Sequence, residues 1–260
     1  MGYYDGYLIL SDIDGTLTRQ GNDLSEENHE ALTRFMAEGG YFTIATGRSP
    51  EFLPQFPIQP NAPLVSINGT LIFSDSGERL LFLPMEDDTE TPLRYFIETY
   101  TGIRRIIRSA QSGVQNWYRD KDGSDYSPLF IGDEPCLRYY FCCDCEETAL
   151  RLMADAMEHY GDRYEFNRSW ADGMEMHVKG SGKDAGLRFL RDYLPGIHTT
   201  IAVGNYENDT SMIRAADIGC AVDNAIPSVK EAADRVIVSN MDHALAYIID
   251  ELIPSLKKNA

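Results

Sequence analysis

No stretch of this 260-residue chain stays apolar for the eighteen or so residues that a membrane span needs. The opening residues Met1-Gly2-Tyr3-Tyr4-Asp5 hold neither a basic region nor a secretory apolar core, and Gly6 stands where a myristoylation signal has Ser or Thr. Cysteine is scarce and odd in number, five in all, so no disulfide framework is expected. Positive charge is also short: 23 Lys and Arg against 41 Asp and Glu give a formal net charge of −18. That balance argues against nucleic acid or an anionic membrane as partner, since both reward a basic face. The expectation is a cytoplasmic protein whose attraction for any anionic substrate is local rather than global.

What the chain does have is an apolar run, Tyr7-Leu8-Ile9-Leu10, that drives into Asp12 and Asp14 and then a Gly15-Thr16 turn. Each ionised carboxylate costs several kcal/mol to desolvate without a partner, so two acids at the end of a buried strand call for a third party. Residues two apart on a strand share a face, and open α/β sheets place their ligands beyond the carboxyl ends of strands. A divalent cation fits that place. A calcium loop does not, because Gly15 comes too early and the twelfth position from Asp12 is Asp23 rather than Glu.

The hydrophobic fraction, 43%, supplies a core for one large domain or two modest ones. Ser25 with Glu26 and Glu27 predicts a helix start, and Ala31, Leu32, Phe35 and Met36 its apolar face. Strands are predicted at 41–45 and 64–67, then a hairpin at 70–73 and 79–83. Between residues 84 and 179 the texture becomes α+β: helices at 89–100 and 146–160, strands at 103–108, 114–118, 139–145, 164–167 and 174–178, and a loop at 120–128. Cys142 and Cys145 make a Cys-x-x-Cys spacing. With no second pair and no suitably placed His, they read as small thiols packed in a strand. The α/β rhythm resumes at Lys183, with a strand at 200–203 running into Gly204-Asn205-Tyr206-Glu207-Asn208-Asp209 and a helix at 210–215. The expected division is 1–83 with 180–260 as a parallel-sheet α/β core, and 84–179 as an insert.

Polar clusters fall where successive strands should end: Asp12/Asp14, Thr46/Arg48, Asn68, and Asn205/Asn208/Asp209, with Lys183 at a helix start. A parallel sheet would bring them to one rim. Acids, a hydroxyl, amides and one lysine around a cation suit phosphoryl transfer, which needs charge neutralisation, in-line positioning and an oxygen nucleophile.

Asp12-Ile13-Asp14-Gly15-Thr16-Leu17, Thr46-Gly47-Arg48, Lys183 and the Gly204-to-Asp209 stretch resemble the four motifs of the haloacid dehalogenase-like superfamily. The order, with about a hundred inserted residues between the second and third motifs, is similar to its Cof-type sugar phosphatase branch. The resemblance implies a Rossmann-like three-layer core with an inserted α/β cap, and a Mg²⁺-dependent phosphatase of a small phosphorylated metabolite, most simply a sugar phosphate. It implies Asp12 as nucleophile and metal ligand, and Asp14 as general acid/base with its carbonyl on the metal. Thr46 and Lys183 would act on the phosphoryl group, with Gly47, Arg48, Asn68, Gly69 and Asn208 binding phosphate. Asn205 and Asp209 would complete the metal site, or Asp209 would orient Lys183. The family usually has Asp where this chain has Asn205, which removes one negative charge from the site.

In the insert, Trp117, Tyr118, Arg119, Trp170, Glu175 and His177 could face a sugar-like ligand. Trp117 and Trp170 read more simply as core, and His177, flanked by Met176 and Val178, as structural. Two rival functions stay open: a phosphomutase on the same scaffold, and a non-catalytic phosphometabolite-binding protein.

Overall fold

The computed structural model describes residues 2–52, 56–85, 88–110, 113–118 and 134–259. The predicted loop at 120–128, Arg119 and the side chains of Trp117 and Tyr118 lie outside what is described. In chain order the elements are β1 (Tyr7–Ser11), α1 (Glu26–Ala37), β2 (Tyr41–Ile44), β3 (Leu64–Ser66), β4 (Leu71–Phe73) and β5 (Arg79–Phe82). Next come α2 (Glu90–Thr99), β6 (Ile103–Ala110), β7 (Gly113–Tyr118), β8 (Cys136–Cys143), α3 (Glu146–Tyr160), β9 (Tyr164–Asn167) and β10 (Gly173–Val178). The chain ends with α4 (Lys183–Tyr193), β11 (Thr199–Gly204), α5 (Thr210–Ala215), β12 (Ile218–Ala221), α6 (Pro227–Ala232), β13 (Arg235–Val236), α7 (Ala244–Tyr247) and α8 (Ile253–Asn259). A π-helical turn, Ile248–Leu252, joins the last two helices. Two compact units result, one of residues 1–80 with 182–260, the other of residues 81–181.

The first unit is built on a parallel sheet of order β13-β12-β11-β1-β2. The interior strand β1, between β11 and β2, is buried along its whole length, as a strand covered on both faces must be. Tyr7, Ile9, Phe42, Ile44, Ile201 and Val203 pack with Leu32 and Phe35 of α1 and Leu245 of α7. Leu8, Leu10 and Ala202 alternate to the opposite face and are equally buried. Ser25 caps α1 by accepting from the Asn28 amide at 3.3 Å, and the acids of the first turn face the positive end of the helix dipole. The ladder runs on past the strands: the Asp12 amide donates to Val203 O, Ala45 to Ser11 O and Thr46 to Val65 O. Those bonds carry the strand ends to one rim in register.

The second unit is an antiparallel sheet of order β7-β6-β8-β10-β9. One face, with Ile106, Phe141, Met174 and Met176, packs against Leu93 and Phe96 of α2 and Leu152 and Ala156 of α3. Its other face carries buried polar groups. Arg138 donates to Glu175 at 3.0 Å and to Ser109 at 3.2 Å, and Ser169 donates to the same glutamate. His177 is wholly buried. Its Nε2 takes the Asn167 amide at 2.7 Å, and its Nδ1 meets the Ser181 hydroxyl at 2.6 Å, which itself donates to Val178 O. That bonding assigns the proton to Nδ1. Trp170, expected in the core, is instead 58% exposed, because it sits in the turn between β9 and β10 rather than on a strand. Cys136 and Cys143 are buried as strand thiols, but Cys145 is exposed, just past the strand at the start of α3. All five thiols are free.

Burial pushes the His177 imidazole down to about 4. Its neutral form is therefore the stable one in the fold. The stabilisation is complete above the unfolded value near 6.5 and is lost as pH falls toward 4. Between pH 7 and pH 4.5 this group alone should cost about 2 kcal/mol. Urea unfolding at both pH values should show a larger loss for the wild type than for His177→Gln; equal losses would reject the assignment.

Candidate active site

The first unit's strand ends meet around a buried lysine. Lys183 opens α4 and has no exposed surface; its Nζ donates to Asp12 Oδ1 and to Asp209 Oδ1, each at 2.6 Å. Asp12 follows β1, and Asp209 closes the short helical turn after β11. The second oxygen of Asp209 accepts from the amides of Asn205 at 2.8 Å and Tyr206 at 3.0 Å. Both oxygens of Asp209 are thus engaged, and the residue is fully buried. Of the two roles read for it, orienting Lys183 is the one this bonding displays.

Two glycines make the approach possible. Gly69 has φ +87°, and a Cβ there would lie 2.0 Å from the Gly182 carbonyl oxygen, so the turn after β3 presses against the start of α4. A Cβ on Gly204 would lie 2.3 Å from the Asp209 side chain. A larger residue at 69 would push on the backbone just before Lys183, and one at 204 would displace its partner Asp209.

Burial pushes the carboxyl of Asp12 up to about 7, with the Asp209 charge adding to the effect and Lys183 offsetting part of it. Burial pulls the Lys183 ammonium down, but the Asp12 and Asp209 carboxylates outweigh it and hold the group well above its ordinary value. Asp12, Asp14 and Asp209 face two cations, Lys183 and Arg48, through these ion pairs. One negative charge is left over, and a divalent cation would compensate it.

Asp14 lies two residues beyond Asp12 and is gripped by Arg48: Nε donates to Oδ2 at 2.9 Å and Nη2 to Oδ1 at 2.6 Å. The Arg48 side chain, assigned from sequence to phosphate, is therefore spent on Asp14. That contact, with burial working against it, raises the guanidinium further above its usual range. Thr46 is buried, and its hydroxyl accepts from the Arg48 amide at 3.1 Å. Gly47 lies between them. Ile67 and Asn68 both take left-handed φ, 45° and 47°, and the Asn68 amide donates to Thr46 O. Left-handed geometry suits Asn and strains a β-branched Ile, so the turn after β3 stores strain next to the site. Asn208 donates to Asn68 Oδ1 at 3.1 Å.

Asn205 accepts from the Thr16 hydroxyl at 3.1 Å, and its Nδ2 lies where a Cβ on Gly15 would stand 2.7 Å away. Asn224, shortly after the end of β12, donates to Gly15 O at 2.8 Å. Neither Thr16 nor Asn224 was assigned a part from sequence. The rule that polar residues at strand ends line the rim would have found Asn224, had it been extended to β12. Among the described residues no group of three acidic, His or Cys side chains is arranged to hold a metal. The residues read from sequence as metal ligands, Asp12, Asp14, Asn205 and Asp209, carry oxygen donors, which would suit a hard cation such as Mg²⁺.

A family model described as haloacid dehalogenase-like hydrolase matches residues 9–127 and 134–249. The 5-amino-6-(5-phospho-D-ribitylamino)uracil phosphatase YwtE of Bacillus subtilis (strain 168) is 27% identical over 94% of this chain and 97% of its own. A haloacid dehalogenase-like hydrolase from B. subtilis superposes with a TM-score of 0.79 at 21% identity, over 94% of this chain and 99% of that one. The HAD subclass IIB sugar phosphatase BT4131 gives 0.74 at 21% identity, over 94% and 98%. These structural likenesses show a shared fold. Among the described residues no helix is long and apolar enough to cross a membrane.

Replacing Lys183 by Met leaves two buried carboxylates without their cation. Breaking a buried pair in this way costs about 3 kcal/mol or more. Urea unfolding at neutral pH should show that loss; a change within about ±0.5 kcal/mol would mean that the lysine does not hold the site together.

Proposed function

This chain belongs to the haloacid dehalogenase-like hydrolases, and we propose that it is a Mg²⁺-dependent phosphatase of a small phosphorylated metabolite, with sugar and sugar-alcohol phosphates as the substrate class. The observation that carries the reading is the Asp12–Lys183–Asp209 ion cluster, a nucleophile-grade carboxylate held at a strand end beside a fixed positive charge. The substrate class is taken from the relatives. One is named for a phosphorylated ribityl compound and another as a sugar phosphatase.

In this mechanism Asp14, a carboxylate paired with Arg48 in the free protein, takes up a proton from solvent when the substrate binds. Asp12 attacks phosphorus, and the ester P–O bond breaks as Asp14 hands that proton to the leaving alkoxide. Asp14 then takes a proton from water, whose oxygen attacks phosphorus. The bond to Asp12 breaks, inorganic phosphate leaves, and both carboxyl groups return to their starting state as Asp14 gives its proton back to solvent. Lys183 and the Thr46 hydroxyl balance and orient the phosphoryl oxygens, while Asp209 holds Lys183. The Asp12 carboxylate, the Asp14 carbonyl and Asn205 would hold the cation, with the amide supplying an oxygen but no charge. When bound, Mg²⁺ neutralises the repulsion between Asp12 and the phosphate dianion. The inserted unit, residues 81–181, selects the substrate.

Phosphate release should be measured across sugar phosphates, nucleotides and cofactor phosphates, with and without Mg²⁺. The expected result is Mg²⁺-dependent turnover, highest on sugar phosphates and lost by about 10³-fold or more in Asp12→Asn. No turnover across the panel would favour a binding protein. Transfer to a second hydroxyl with little free phosphate would favour a mutase. Asn205→Asp should lower the Mg²⁺ concentration needed for half-maximal activity, because it restores a charged ligand. An unchanged requirement would reject the charge argument.

A further inference from the structure

Arg48 stands in the motif whose neighbours handle phosphate, yet every described contact of its side chain leads elsewhere. Its fork closes on both oxygens of Asp14, at 2.9 and 2.6 Å. The remaining nitrogen, Nη1, donates to Asn22 Oδ1 at 2.6 Å, and Nη2 also reaches Gly21 O at 3.2 Å. Its backbone is pinned as well: the amide donates to Thr46 Oγ1, and the carbonyl accepts from the Ile67 amide at 3.2 Å and the Ser66 hydroxyl at 2.8 Å.

The turn that receives the outer edge of the guanidinium is closed on itself. The Arg19 amide donates to Asp23 O at 3.1 Å, the Asp23 amide to Gln20 O at 3.0 Å, and the Arg19 and Asp23 side chains pair at 2.9 Å. Gly21 takes φ +60° there, a conformation that turns the chain tightly and that side chains resist. The Asn22 side chain closes the outer edge by accepting from Arg48.

We infer that Arg48 is a positioning residue that fixes the carboxylate of Asp14, held to that task by the Gln20–Asp23 turn, and that it is not a ligand of the substrate phosphate. A planar fork on a carboxylate sets its position and its plane together, and such charge-assisted pairs are about twice as strong as neutral hydrogen bonds. Anion binding through the same fork would require Asp14 to be released first. The inference rests on the reading of Asp14 as the proton-transfer group, which must stand within hydrogen-bond reach of the leaving oxygen.

The test compares Arg48→Lys, which keeps the charge and loses the fork, with Asn22→Ala, which removes only the outer hold. Three readouts are needed for each: kcat and KM on a monoester that the wild type hydrolyses, inhibition by inorganic phosphate, and a crystal structure. Arg48→Lys should lower kcat by about ten- to a hundredfold, the scale expected when a catalytic group is misplaced by about an ångström. Asn22→Ala should lower it by about three- to tenfold through the same route. KM and the phosphate inhibition constant should stay within about twofold, and the Asp14 carboxylate should be displaced in the Arg48→Lys crystal. A raised phosphate inhibition constant in either variant, or an unchanged kcat in Asn22→Ala, overturns the inference. If the wild type hydrolyses no monoester, the phosphatase reading fails by itself. The crystals still decide the clamp: an Asp14 carboxylate that keeps its place in the Arg48→Lys structure would refute it.

Discussion

A lysine without solvent contact, joined to two carboxylates, is the constraint on which the rest of the first unit's site depends. Lys183 ties the end of β1 to the loop after β11, across 171 residues of sequence to Asp12 and 26 to Asp209. An ammonium ion is buried at tolerable cost only where opposite charges meet it, so the two strand ends and the start of α4 must arrive together. The glycines at 69 and 204 follow from that demand, because one lets the backbone before Lys183 and the other the Asp209 carboxylate approach where a Cβ would stand in the way. Burial pushes the Asp12 carboxyl up, Lys183 offsets part of that, and an added cation would favour the anion further.

Around this ionic centre the loops are stitched largely by amides. Asn205 meets Thr16, Asn224 holds the Gly15 carbonyl, Asn208 bonds Asn68, and Asn22 holds Arg48. Farther out, buried Asn28 donates to Leu17 O and accepts from the Leu245 and Ala246 amides of α7. An amide both donates and accepts and brings no charge. At a rim that already carries three carboxylates, more acids would add repulsion, and amides order the loops without it. Asn205 fits this pattern as a residue that fastens the turn around Gly15 through Thr16.

Much of the fold was legible because local signals and burial agree. The apolar run at 7–10 became an interior strand of the parallel sheet, Ser25 caps the helix it was expected to cap, and Thr210 to Ala215 is a helix with the expected ends. The placing of polar residues after β1, β2 and β11 was also readable, since the strands themselves are apolar and run in parallel to one edge, whereas Asn68 follows β3 of a separate three-stranded sheet. Partners were not readable. Nothing in Thr-Gly-Arg says that the guanidinium turns to Asp14, and nothing local to Asn224 says that it reaches back 209 residues to Gly15. Trp170 and Cys145 misled for a related reason: each lies just beyond a strand end, where burial gives way to exposure within a few residues of chain.

The amino-acid order by itself determined most of the strands and helices, the caps that start them, and the mixed α/β class of the fold. Those follow from periodicity, caps and the cost of burying charge, all of which act over a few residues. Only the tertiary structure decided how the charges pair: Lys183 between Asp12 and Asp209, and Arg48 upon Asp14. Ion pairing depends on distances of a few ångströms between segments far apart in the chain, and only the packed sheet sets those distances.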